Sequence, residues 1–207
     1  MPSSNPKDHH VEEEPPVFRM REATAADAAA IADMIRERSR WLSERGLGEC
    51  EAVADEFGAQ AANPDIPVWV LEHRERGVVG CTTIMREDAL PLWGFTDEER
   101  AEPSLFLTTS FTRPNPYRLG RLLAWWALDH AAVNGIRWVR RGTAQEQLSR
   151  YYQRGQGWQL LRVADLPEAK VHLLQRRAER LPELPGLMSG RALREAAPGR
   201  LLTDTTG

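Results

Sequence analysis

The sequence predicts an α/β fold of the α+β kind, built on one mixed sheet that is mostly antiparallel, contains a single parallel pair, and is flanked by helices. Three observations carry this reading. Strand-like runs at 68–72, 78–85 and 104–112 follow one another directly, so they can pair antiparallel. A long apolar helix then separates the third run from a fourth at 136–140, and a right-handed crossover returns that strand parallel. Two final runs, 158–163 and 171–175, are again adjacent in sequence.

The elements can be justified in order. Residues 1–16 hold Pro, Ser, His9-His10 and Glu12-Glu13-Glu14 without apolar periodicity, and are expected to form a disordered leader. The folded domain is expected over 17–180, opening with an alternating strand at 17–21. Thr24 and Asp27 fit a capping box, with Asp in place of the usual Glu. Ile31, Met34 and Ile35 then recur at helical spacing, and Gly46 and Gly48 stop that helix after about Glu44. A shorter helix over 52–62 ends at Asn63-Pro64. The segment 86–103, with Trp93 and Phe95, is too aromatic for a plain linker and is expected to fold over something. Leu122, Leu123, Trp126, His130 and Val133 mark the central helix from Leu119 to Asn134. A short helix at 145–153 precedes the last two strands. The Pro/Gly-rich stretch 181–207 is expected to be a loosely packed tail.

Composition narrows the function classes. With 42% hydrophobic and 28% charged residues among 207, the chain can bury one sizeable core. A net charge of −3 gives no overall attraction to nucleic acid or to an anionic membrane. No apolar run reaches the roughly 18 residues of a bilayer span. Cys50 and Cys81 are too few for a disulfide framework, and no apolar signal-peptide core opens the chain, so a cytoplasmic protein with reduced thiols is expected. His73, His130 and His172 show no ligand spacing, so no metal is expected. The seven tryptophans and the apolar last strands allow a homodimer.

Chemistry concentrates in 105–134. A strand feeding a tight loop and a helix start makes an anion site, because the first helical amides lack internal partners and the helix dipole adds positive potential. Gly120 permits close backbone approach, and Arg113, Arg118 and Arg121 surround it with positive charge, which suits a diphosphate. An ordinary solvated basic helix start has the same composition.

Leu119-Gly120-Arg121-Leu122-Leu123-Ala124-Trp125 resembles the cofactor-binding signature of the GNAT superfamily of N-acyltransferases, with Asn115 where that family has Arg or Gln and Arg118 where it has the middle Gly. The passage from His130 to Val139 is similar to the family's exit from the central helix. Gln145, six residues, Tyr152 and then Gly157-Trp158 resemble its Asn, Tyr and Gly-Phe pattern. Arg36-Glu37-Arg38-Ser39-Arg40-Trp41-Leu42 looks like the end of the first helix in small bacterial members. The resemblance covers about 17–175.

The resemblance implies a GNAT-like sheet in which the strand ending at Thr112 splays from its parallel neighbour, with acetyl-CoA, or another acyl-CoA, as co-substrate and no metal. Backbone at Phe111, Thr112 and Arg113 would pair with the pantetheine arm, an amide near Phe111 would stabilise the oxyanion, amides of Arg118 to Arg121 would hold the diphosphate, and Gln145 would also contact the cofactor. Tyr152 would be the general acid. Trp41, Glu49 and Trp93 would face an amine acceptor, a small molecule or peptide; Glu49, Glu51 and Asp88 are the possible bases. The competing readings are a non-catalytic acyl-CoA sensor or interaction module of the same fold, and an unrelated α/β nucleotide-binding protein, which would need a mostly parallel sheet.

Overall fold

The computed structural model describes residues 17–86, 95–114, 118–167 and 169–189. Asp88 and Trp93, and the expected leader, lie outside the described residues.

Strand β1 (Phe18–Glu22) leads through a 3-10 turn (Ala25–Asp27) to helix α1 (Ala28–Ser43), and a second 3-10 turn (Glu51–Val53) opens α2 (Ala54–Gln60). Then come β2 (Val68–His73), β3 (Gly77–Met85), a short α3 (Asp97–Ala101), β4 (Ser104–Thr112) and α4 (Leu119–Val133). The chain continues with β5 (Trp138–Thr143), α5 (Glu146–Gln156), β6 (Gln159–Asp165), β7 (Lys170–Arg177) and α6 (Leu184–Met188). The seven strands form one sheet in the order β1-β2-β3-β4-β5-β7-β6. Only β4 and β5 run parallel, as the crossover through α4 requires.

The capping box predicted from Thr24 and Asp27 is present: the Asp27 carboxylate accepts from the Thr24 backbone N–H at 2.8 Å. Arg21 of β1 grips the same carboxylate with two nitrogens, each at 2.8 Å, and also reaches Glu72 of β2. Entry into α1 is thereby tied to the sheet edge.

Helices α1 and α2 cover one face of the sheet. Ile31, Met34 and Ile35 pack there on Val68, Val70, Val78 and Cys81. The helices approach so closely that a Cβ on Gly58 would stand 2.6 Å from the Ala28 carbonyl oxygen. Helices α4, α5 and α6 cover the other face, where Leu122, Leu123 and Leu128 are fully buried or nearly so. Each such leucine contributes about 1.5–3 kcal/mol by leaving water.

Three elements differ from the sequence reading. Strand β5 starts at Trp138 rather than 136, because Gly135 (φ 69°) and the N–H of Ile136 close α4 with a left-handed cap onto the carbonyls of Ala132 and Ala131. The aromatic segment contains α3, started by a Thr96–Glu99 capping box, and Phe95 beside it packs on Phe106. The stretch beyond 180, expected to be loose, packs as far as Ser189: Leu184 and Met188 bury against α4, and Asp129 of α4 accepts from the Leu181 N–H at 2.8 Å.

Candidate active site

The parallel pairing of β4 with β5 runs only from Ser104↔Trp138 to Leu107↔Arg141. Beyond Leu107, β4 continues to Thr112 without β5 beside it. The cause lies on the other side of β4. Ile84 pairs with Leu107 and Thr83 with Thr109, leaving Thr108 as an extra residue, and such a bulge bends a strand and increases its twist. A gap therefore opens in the sheet between the ends of β4 and β5.

Strand alternation fixes what the gap receives. The N–H of Arg113 is bonded to Val79 of β3 at 2.8 Å, and Phe111 points its backbone the same way. The expectation that Phe111 and Arg113 offer backbone groups to a ligand is thus corrected: Ser110 and Thr112 carry the N–H and C=O groups on the gap side. The Phe111 ring instead packs on Phe57 of α2 at 5.3 Å, and the Arg113 guanidinium pairs with Glu37 of α1 at 3.2 Å. Hydroxyls line this part of β3 and β4, with Thr82 Oγ1 at 2.9 Å from Ser110 Oγ and 2.8 Å from the Thr109 carbonyl.

Helix α4 begins just beyond the end of β4. Its N-cap is Arg118, held in the left-handed region at φ 51° and ψ 47°, and no side chain caps the helix. Arg118 is the one non-glycine among the described residues with positive φ. The amide of Arg121 is taken by the Arg118 carbonyl at 2.8 Å, so Leu119 and Gly120 present the amides without a helical acceptor. A Cβ on Gly120 would meet nothing within 4 Å. The fold itself does not require glycine there, and the open side of this turn fits a phosphate brought close to bare backbone. Of the three expected cations, Arg118 is exposed, Arg121 lies over the Trp125 indole at 4.2 Å, and Arg113 is paired as above.

Tyr152, on α5, is buried in the core below the place where β4 leaves β5. The Arg141 guanidinium sits 3.8 Å from the Tyr152 ring centroid and 5.4 Å from that of Trp158. Burial raises the Tyr152 pKa, while Arg141 and, more weakly, Arg38 pull it back. Arg38 belongs to α1, on the opposite face of the sheet. Burial lowers the pKa of both arginines.

The neighbouring arginines of β5 differ. Arg140, fully buried on the α3 side, donates to the Glu99 carbonyl at 2.7 Å and faces Glu102 at 3.6 Å. Among the described residues Arg141 has aromatic neighbours and no carboxylate, and its Nε has no hydrogen-bond partner.

The remaining expected residues are more peripheral. Gln145 is the exposed N-cap of α5, and its side chain makes no capping bond. Trp41 is half-buried beneath Arg38 and Arg45, at 4.6 and 4.2 Å. Glu49 is exposed and accepts from Ser43 at 3.0 Å. Cys81 is buried and its thiol pKa is pushed up to about 12 by that burial, which suits a packing role. No group of three or more His, Cys, Asp or Glu among the described residues could hold a metal, and no described helix is long and apolar enough to cross a membrane. The sequence reading did not single out Arg141, whose guanidinium lies on the Tyr152 ring. The one signal available was a second adjacent arginine in a strand that alternates between two covered faces.

The described strands form a mostly antiparallel sheet with one parallel pair and flanking helices, and that arrangement matches a GNAT fold. No protein-family model matches the chain, and no curated protein does. Solved structures do match. A GNAT-family protein from Desulfovibrio desulfuricans superposes with a TM-score of 0.57 at 13% identity, over 78% of this chain and 99% of that one. A GNAT-family acetyltransferase from Listeria monocytogenes gives 0.53 at 16%, over 77% and 94%. The Salmonella typhimurium protein yncA, solved with its cofactor acetyl-CoA, gives 0.51 at 17%, over 80% and 96%. At these identities the likeness is one of fold.

Proposed function

We propose that the chain is an N-acyltransferase that moves an acetyl group from acetyl-CoA to a primary amine by direct attack. The observation that carries this reading is the Tyr152 phenol, buried beside Arg141 where β4 leaves β5. Ser110 and Thr112 would hold the extended arm of the cofactor by strand-like pairing, and Leu119 and Gly120 its diphosphate.

The nitrogen lone pair of a neutral amine forms the new N–C bond at the thioester carbonyl carbon, and the C–S bond breaks as the tetrahedral oxyanion collapses. Tyr152 gives its proton to the departing thiolate, and the amine proton returns to solvent. A raised pKa keeps the phenol protonated until it is needed, and the cation of Arg141 stabilises the phenolate left behind. Trp41, at the end of α1, would face the acceptor.

The test is saturable thiol release from acetyl-CoA with a panel of amines, run beside calorimetry with CoA. Thiol release that depends on an amine supports transfer. Binding of CoA without release from any amine would leave the sensor reading in place of this one.

A further inference from the structure

We infer that Thr109 positions the attacking amine, and that Thr83 and Gln60 set the polarity of its hydroxyl; this rests on the acyl-transfer reading of the same gap. Thr109 follows the bulged Thr108 on β4, beyond Leu107, the last residue of β4 that pairs with β5. Its side chain lies on the α1–α2 face of the sheet. There its hydroxyl donates to Thr83 Oγ1 at 3.0 Å, and Thr83 donates at 3.3 Å to Gln60 Oε1, at the end of α2. Thr83 is buried, while Thr109 and Gln60 are half-buried. The Thr109 carbonyl accepts from Thr82 Oγ1 at 2.8 Å, so the residue is held through both backbone and side chain.

Each hydroxyl has one proton and two lone pairs. The Gln60 oxygen takes the Thr83 proton, so Thr83 can only accept from Thr109. The Thr109 proton is thereby committed, and its hydroxyl offers lone pairs alone to a group that enters the gap. That polarity selects a hydrogen-bond donor. A hydroxyl that donated to the amine nitrogen would occupy the lone pair that must attack the thioester carbon. One restricted to accepting takes an N–H instead and leaves that pair free. The same hydrogen bond strengthens as positive charge develops on nitrogen, so it favours the transition state over the ground state.

The two faces of the sheet divide the reaction. The uncapped start of α4 and the Tyr152 phenol belong to the α4–α5 face, where the diphosphate and the departing thiolate are assigned. The acceptor is left the α1–α2 face, and Thr109 stands on that face just past the point where β4 leaves β5.

The experiment measures amine-dependent thiol release from acetyl-CoA across primary amines, from alkylamines to amino-acid amides, for the full chain and its variants. Calorimetry with CoA and thermal unfolding accompany each variant. Thr109→Val, which keeps the shape and removes the hydroxyl, should lower kcat/KM for the amine about tenfold or more. CoA affinity should stay within about twofold, and Thr109→Ser should restore most of the activity. Thr83→Val leaves Thr109 in place but frees its proton, and should lower kcat/KM for the amine about as far. The double variant should fall within about twofold of either single one, because both changes break one chain of hydrogen bonds. Full activity in Thr109→Val, no gain from Thr109→Ser over Thr109→Val, or losses that multiply in the double variant would overturn the inference. So would a parallel fall in CoA affinity. Thiol release that the wild-type chain and all variants share would keep the acyl-transfer reading and remove only the role of Thr109. No release from the wild-type chain with any amine would remove both.

Discussion

The guanidinium of Arg141 lies 3.8 Å from the Tyr152 ring, at the last residue of β5 that pairs with β4. A buried cation without a carboxylate partner is an unfavourable feature in a core, and replacing such groups by apolar side chains is often neutral or stabilising. Arg141→Met, of similar length, should therefore keep or raise the melting temperature. If the cation stabilises a Tyr152 phenolate, the same substitution should lower kcat about tenfold. Thermal unfolding and steady-state thiol release check the two halves, and a large loss of stability would mean that Arg141 is structural.

Tyr152 sets the alkaline limit. Its pKa is raised first by burial, with Arg141 opposing, so the phenol stays protonated through neutral pH. A proton donor works while protonated and fails as pH rises through its folded-state pKa, which here lies above the ordinary value of 10. The kcat profile should show no alkaline fall through about pH 9 and should fall only above the ordinary phenol range. Tyr152→Phe should lower kcat about a hundredfold, abolish that fall and leave CoA affinity unchanged.

Much of the frame could be read from the sequence because it rests on local pattern. Alternation placed β1, strand-like runs bounded by turns placed β2, β3 and β4, and helical periodicity placed α1 and α4. The Thr24–Asp27 pair was visible because a capping box spans only four consecutive residues. The gap was harder. It depends on one extra residue, Thr108, in the pairing of β3 with β4, and register is a long-range property that no local pattern reports. The direction of the backbone at 110–113 follows from that register, which is why Phe111 and Arg113 were expected where Ser110 and Thr112 stand.

Asp27 should govern acid stability. Its hydrogen bonds to Arg21, joined by those from Thr24, hold its pKa at about 2, below the usual carboxylate range, against the opposing effect of burial. A group with a depressed folded pKa stabilises the native state above its unfolded value near 4, and that contribution is lost as pH falls towards 2. The difference corresponds to about 2 kcal/mol. Asp27→Asn should lose roughly that amount at pH 7 and flatten the stability profile between about pH 4 and 2, as measured by denaturant titration.

The start of α4 makes a prediction in which stability and binding move in opposite directions. Arg118 holds a left-handed backbone that costs a side-chain-bearing residue about 1 kcal/mol relative to glycine. Arg118→Gly should therefore stabilise the fold by about that amount, a rise of roughly 2–4 °C in a chain of this size. Gly120→Ala should also stabilise, by up to about 1 kcal/mol, because alanine favours a helical position and its methyl meets no protein atom within 4 Å. The same methyl would occupy the open side of the turn, where close approach of a phosphate needs bare backbone. Gly120→Ala should weaken CoA binding about tenfold in calorimetry while the protein melts at a higher temperature. Unchanged CoA affinity in this variant would move the diphosphate away from the Leu119 and Gly120 amides.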